Sequence, residues 1–130
     1  MIYPANFETR IGFDVVRQEV EKRCISTLGV TYCQKMQFSS QFDEVKAWLS
    51  QTNEFLVILQ SKQEFPLNYF FDLRVPLKTI STPGSYISAE NLFDLQRSLN
   101  TISDIIKFFR FDEEGNTPYP YLRRLTDGML

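Results

Sequence analysis

The residues able to do chemistry in this chain are few and scattered. There is no histidine among the 130 residues, which removes His-based acid–base catalysis, Ser–His and Cys–His nucleophiles and imidazole metal sites. The two cysteines, Cys24 and Cys33, stand nine positions apart without a CxxC. That spacing excludes a zinc finger and argues against a disulfide framework, so both read as small reduced core residues. Carboxylates cluster at Asp43/Glu44 and at Asp112-Glu113-Glu114. The first pair falls at a helix start, where the helix dipole favours it, and the second falls in a polar loop. Neither has a partner cluster to complete a metal or acid–base site, so both read as solvated surface.

Phosphate chemistry has no better footing. The five glycines at 12, 29, 84, 115 and 128 form no phosphate-cradling loop, and neither GxxxxGK[ST] nor GxSxG occurs. Lys107 and Arg110 lie one turn apart near a helix C-terminus, and Arg123-Arg124 are adjacent. These four are the candidates for weak nucleic-acid contact, with ordinary surface solvation the preferred reading of them. The net charge of −2 supplies no basic field. Catalytic, cofactor and metal residues are therefore expected to be absent from this chain.

The elements that carry these residues read as helices. Phe13, Val16, Val20 and Cys24 form one helical stripe. Ser26 or Thr27 can cap a second helix, with Gly29 in its first turn either for the close approach of another helix or as a neutral accident. Ser40 can cap a third, whose apolar residues Phe42, Val45, Leu49, Thr52, Leu56 and Leu59 step by 3, 4, 3, 4, 3. Asp72 can cap a short fourth helix that tolerates Pro76 early. Ser88 caps the fifth, whose stripe of Leu92, Leu95, Leu99, Ile102, Ile106 and Phe109 repeats the same steps. Met1–Ile11 reads as an extended lead-in, Phe65–Phe71 as irregular loop, and Leu122 and Leu125 as the start of a last helical piece.

The expectation is an all-α fold, an elongated helical bundle with helices near 13–25, 27–37, 41–62, 72–80 and 89–110. The third and fifth would be roughly 30 Å long at 1.5 Å per residue. Their seams would bury Leu49, Leu56, Leu95, Leu99 and Ile102, making Leu99→Ala cost ~2–5 kcal/mol. The chain length suits one domain. No apolar run of 18 residues exists, so no membrane partner is expected. The opening residues carry no secretory pattern, and a cytoplasmic protein is expected.

Aromatic residues make up 15% of the chain, a load that a small helical core covers with difficulty. Trp48 and Phe55 flank one seam, and Ile105 and Phe108 widen the other. These four are the candidates for a self-association surface giving a homodimer, with a monomer as the competing outcome.

Several segments in unbroken order resemble one family. Ile2-Tyr3-Pro4-Ala5-Asn6-Phe7-Glu8 and Ile11-Gly12-Phe13-Asp14 resemble the start of the short MutS-like branch, the recombination-suppressing paralogues that lack the mismatch-reading domain. Ser26-Thr27-Leu28-Gly29 resembles its S-x-L-G at a helix start, and Gln51-Thr52-Asn53-Glu54-Phe55 its mid-helix Q-x-x-E segment. Asp72-Leu73-Arg74 is similar to its D-[IL]-R. Gly84-Ser85-Tyr86-Ile87, Leu92-Phe93-Asp94-Leu95 and Arg97-Ser98-Leu99 are similar to its G-x-x-L and L-x-x-L-x-x-x-L, and Tyr119-Pro120-Tyr121-Leu122 continues the match. Departures are Val30-Thr31 after Gly29 and Val75-Pro76 inside the fourth helix.

The resemblance implies an N-terminal fragment of a helical lever and core domain, lying between an ATPase and a DNA-gripping clamp in a protein several times longer. The parent would bind ATP and Mg and hold DNA, with an endonuclease domain as a frequent companion. In some lineages its partner is the ribosome. The family's nucleotide-binding motifs have no counterpart here, so no catalytic residue carries over. The fragment would be non-catalytic, with the remainder of its own polypeptide as partner. The alternative is a stand-alone helical adaptor that binds a partner helix in a groove.

Overall fold

A computed structural model describes residues 4–110 and 115–129. The carboxylate run at 112–114, expected to be solvated loop, and the first three residues of the opening segment lie outside the described residues. Among those described, the fold is all helical, without a strand. The chain divides into two compact units, Met1–Phe38 and Ser39–Leu130.

The first unit holds α1 (Phe7–Arg10), α2 (Phe13–Glu21) and α3 (Thr27–Gln34). The lead-in is not extended throughout, because the Phe7 N–H reaches the Pro4 carbonyl at 3.0 Å and starts a helical turn. Gly12 separates α1 from α2 with φ +76°, a left-handed conformation that favours glycine. α2 stops at Glu21, short of the expected 25. The Arg23 and Cys24 N–H groups turn back to the carbonyls of Val20 and Glu21, tightening the last turn. Ser26 caps α3, its hydroxyl accepting from the Gly29 N–H at 3.1 Å.

The second unit holds α4 (Phe42–Gln60), α5 (Arg74–Thr79), α6 (Ala89–Phe108), α7 (Pro120–Arg123) and a 3-10 turn over Arg124–Thr126. Ser88 caps α6 as expected, accepting from the Asn91 N–H at 3.2 Å. Two other expected caps are not formed. Gln41, not Ser40, is the N-cap of α4, and no side-chain bond is made from it. The neighbouring Ser39 hydroxyl instead accepts from the Gln41 N–H and bonds the Glu44 carboxylate. Asp72 lies one residue before the N-cap of α5, where its carboxylate grips the Arg74 side chain and N–H.

The core of this unit is aromatic. Ile58, Phe109 and Tyr119 are buried, with Phe55, Phe65, Ile105, Phe108 and Leu122 packed against them. Phe65 comes from the irregular segment after α4 and meets Phe55 and Phe108 edge-on, at 5.2 and 5.1 Å between centroids. The cluster joins residues at the C-terminal ends of α4 and α6.

This core keeps the last two members of the α6 stripe, Ile106 and Phe109, buried but overturns the expected burial along the rest of the seams. Leu49, Leu56, Leu99 and Ile102 are 66, 49, 55 and 41% exposed, and Leu95 is half-buried. On α4 the sheltered positions Ala47, Gln51, Glu54 and Ile58 also step by 4, 3, 4. At roughly 100° per residue they lie on nearly the opposite face from Leu49 and Leu56. On α6 the sheltered face runs through Asp94, Ser98, Thr101 and Ile105. Heptad spacing makes an apolar stripe, but a stripe is buried only where a partner lies along it. Here the aromatic segment before α5 and the chain around Tyr119 approach from the other side.

Candidate functional site

Two kinds of feature could carry function, the polar joints that fix the elements and the apolar faces that the joints leave bare.

In the first unit the joint is Arg17, on α2. Its guanidinium donates to the Glu8 carboxylate at 2.7 Å and to the Met36 carbonyl at 2.8 Å, and stacks over the Phe13 ring at 5.0 Å. One side chain thus ties α1, α2 and the chain leaving α3. The Glu8 bond holds the guanidinium protonated still more firmly than usual. Cys33 is buried and its thiol donates to the Arg17 carbonyl at 3.5 Å. Burial pushes that thiol up from its ordinary value. On the open side of α2, Arg23 and then Lys22 hold the Glu19 carboxyl below the usual range.

In the second unit the first joint is Glu54. Its carboxylate accepts from the Tyr121 N–H at 3.1 Å and the Leu122 N–H at 2.8 Å. These are unpaired donors of the first turn of α7, so a side chain from α4 caps a helix 67 residues later. The Tyr119 hydroxyl adds a bond to Gln63 Oε1 at 3.2 Å. The second joint is Arg97 on α6. Its guanidinium lies over three rings, Tyr69 at 4.7, Phe71 at 4.6 and Phe93 at 4.7 Å, while pairing with Asp94 at 2.5 Å. One turn on, the buried Thr101 hydroxyl accepts from the Tyr69 N–H and donates to the Arg97 carbonyl, both at 3.2 Å. These contacts dock the irregular segment before α5 onto α6. A third joint, Asp72–Arg74, keeps the Arg74 guanidinium firmly protonated.

The bare faces lie on the two long helices. On α6, Leu92, Phe93, Leu95 and Leu99 border a shallow apolar hollow of about 580 Å³. On α4, Phe42, Val45 and Leu49, together with Lys46, Ser50, Asn53 and Glu54, border a second open hollow of about 570 Å³ that Tyr121 also lines.

The sequence-derived candidates are distributed unevenly over this architecture. Of the four aromatic and aliphatic interface candidates, Phe55, Ile105 and Phe108 pack against the aromatic core, and Trp48 is half-exposed on α4. Lys107 pairs with Asp104 at 3.4 Å, and Arg110 is exposed just beyond α6. Arg123 is partly buried, and Arg124 is exposed and stacks on Tyr121 at 5.2 Å. The joints at Arg17, Glu54 and Arg97 were not read as functional from spacing. The partners that tie them to other elements lie 9 to 68 residues away, so no local pattern announces those ties. Among the described residues no group of three or more His, Cys, Asp or Glu could hold a metal ion. No helix among them is long and apolar enough to cross a membrane.

No family model matches the chain, and no solved structure matches it. Curated relatives do. An Endonuclease MutS2 of Geobacillus sp. (strain WCH70) is 28% identical over 112 residues, covering 86% of this chain and 14% of the relative. The Finegoldia magna Endonuclease MutS2 is 22% identical over 120 residues, covering 92% of this chain and 15% of the relative. That of Geobacillus thermodenitrificans is 32% identical over 74 residues, 57% of this chain and 9% of the relative. The chain is similar to a region of MutS2 endonucleases, and spans about one seventh of the length of the first two.

Three of the segments read from the sequence as resembling the short MutS-like branch contain polar joints. Ser26 caps α3, Glu54 caps α7 and Asp72 grips Arg74.

Proposed function

We propose that this chain is a non-catalytic helical core and lever region of a MutS-like DNA-binding ATPase. The observation that carries this reading is the near-complete coverage of the chain by a small share of much longer proteins named as endonucleases. In the parent, ATP, Mg, any nuclease centre and the main grip on DNA belong to other regions, and its processing of DNA and suppression of recombination, or its action on ribosomes, is carried out by the whole. The parent is cytoplasmic. The role of this region is mechanical: helices pinned by specific joints transmit a displacement, whereas a fluid contact absorbs it.

The bare face of α6 favours a second reading, a helical adaptor whose groove takes a partner helix. Both readings leave the chemistry elsewhere.

Titrating the chain against branched and linear duplex DNA at physiological salt, with ATP hydrolysis followed in parallel, tests the proposal. The expected outcome is no turnover and only weak binding that fades as salt rises. Sub-micromolar binding to branched DNA would contradict it and direct attention to Lys107, Arg110, Arg123 and Arg124.

A further inference from the structure

We propose that Cys24 and Cys33 form a peroxide-sensitive thiol pair that closes to an intrachain disulfide. The inference rests on where α2 and α3 place the two sulfurs. The Cys24 thiol donates to the Val20 carbonyl and the Cys33 thiol to the Arg17 carbonyl, each at 3.5 Å. Those carbonyls are three residues apart on one helix, about 4.5 Å along its axis. Both sulfurs therefore lie against one short stretch of α2.

Gly29 supplies the second observation. A Cβ built there would stand 3.5 Å from Cys24 Cβ and 3.6 Å from Cys24 Sγ. Gly29 and Cys33 are four apart on α3, so their Cβ positions are neighbours about 5–6 Å apart. A side chain there would make ordinary van der Waals contact with Cys24 and with Ser26 Oγ, also 3.5 Å away, so what Gly29 contributes is position: it marks Cys24 as lying against the first turn of α3, one turn from Cys33. Bridging needs Cβ atoms about 3.5–4.5 Å apart. Cys24 lies on the short turn between α2 and α3, so closing the bridge requires that turn to shift toward Cys33.

The exposures set the order of events. Cys24 is partly exposed and Cys33 is buried. Peroxide meets Cys24 first: its sulfur attacks one peroxide oxygen, the O–O bond breaks, and the released hydroxide takes up the Cys24 thiol proton and leaves as water. Cys24 is then a sulfenic acid. The Cys33 sulfur attacks that sulfur, the S–O bond breaks, and the hydroxyl leaves as a second water with the Cys33 proton. One peroxide is reduced and two thiols are oxidised. The bond pulls the Cys33 sulfur from the Arg17 carbonyl, next to the joint that holds α1, α2 and the end of α3 together.

The test is mass spectrometry of the intact chain after hydrogen peroxide treatment, with thiols counted in denaturant. The expected product is a monomer lighter by about 2 Da, with both thiols lost, one crosslinked peptide pair and full recovery under dithiothreitol. Cys33→Ser should instead accumulate a sulfenic acid at Cys24 that dimedone captures, while Cys24→Ser should keep Cys33 reduced. Interchain dimers in place of the monomeric product, or sulfinic acid at Cys24 beside an unreacted Cys33, would overturn the proposal on the unsubstituted chain alone.

Discussion

Glu54 shows how much one carboxylate does in this molecule. It sits on α4 and takes two backbone N–H groups of α7. Removing it leaves two partly buried donors without a protein acceptor, and charged acceptors make the stronger bonds. Glu54→Ala should therefore destabilise the chain by about 1–3 kcal/mol in urea unfolding. Glu54→Gln, which keeps one carbonyl oxygen, should lose less. Equal stability of Glu54→Ala and the unsubstituted chain would show that α7 is held by Tyr119 and Leu122 alone. The sequence exposes Glu54 only as part of a resemblance. A bond that spans 67 residues leaves no periodic trace, whereas Ser26 and Ser88 act on N–H groups three residues away and so are legible as caps. The Arg97 stack is hidden for the same reason, since Tyr69 and Phe71 come from a segment with no regular period.

At the scale of elements, the five expected helices are all present, and the two long ones end within two residues of their expected ends. Capping chemistry and 3.6-residue periodicity act locally, and local rules survive in the fold. The inward face does not follow from them. Both long helices carry a second, mixed stripe that packs against Phe65 and Tyr119, and aromatic burial there outweighs the aliphatic seam. This gives a comparison opposite to the expectation from the seams. Ile58→Ala, in the core, should cost about 2–5 kcal/mol. Leu99→Ala, on the bare face of α6, should cost no more than about 0.5 kcal/mol. Urea midpoints measured under one set of conditions check both. A Leu99 loss matching that of Ile58 would place the heptad seam back in the core.

The chain forms two compact helical units, and the long helices of the second expose large aliphatic side chains. Apolar surface of that kind costs solubility unless it is covered. At tens of micromolar the isolated chain should sediment heavier than 15.3 kDa, and Leu99→Lys, which keeps α6 but breaks its face, should return it toward that mass. A 15.3 kDa species at every concentration would remove self-association from the account. A segment exchange tests the mechanical role of this region. The measurement replaces the matching 112 residues of the Geobacillus sp. (strain WCH70) relative with this chain and records the hybrid's DNA affinity with and without ATP. The account predicts that ATP shifts the DNA affinity of the hybrid and of the unmodified relative, measured side by side, to the same extent, and that Glu54→Ala or Leu99→Lys within the exchanged segment weakens the shift while ATP hydrolysis continues. A hybrid that folds and hydrolyses ATP while its DNA affinity ignores the nucleotide would contradict it.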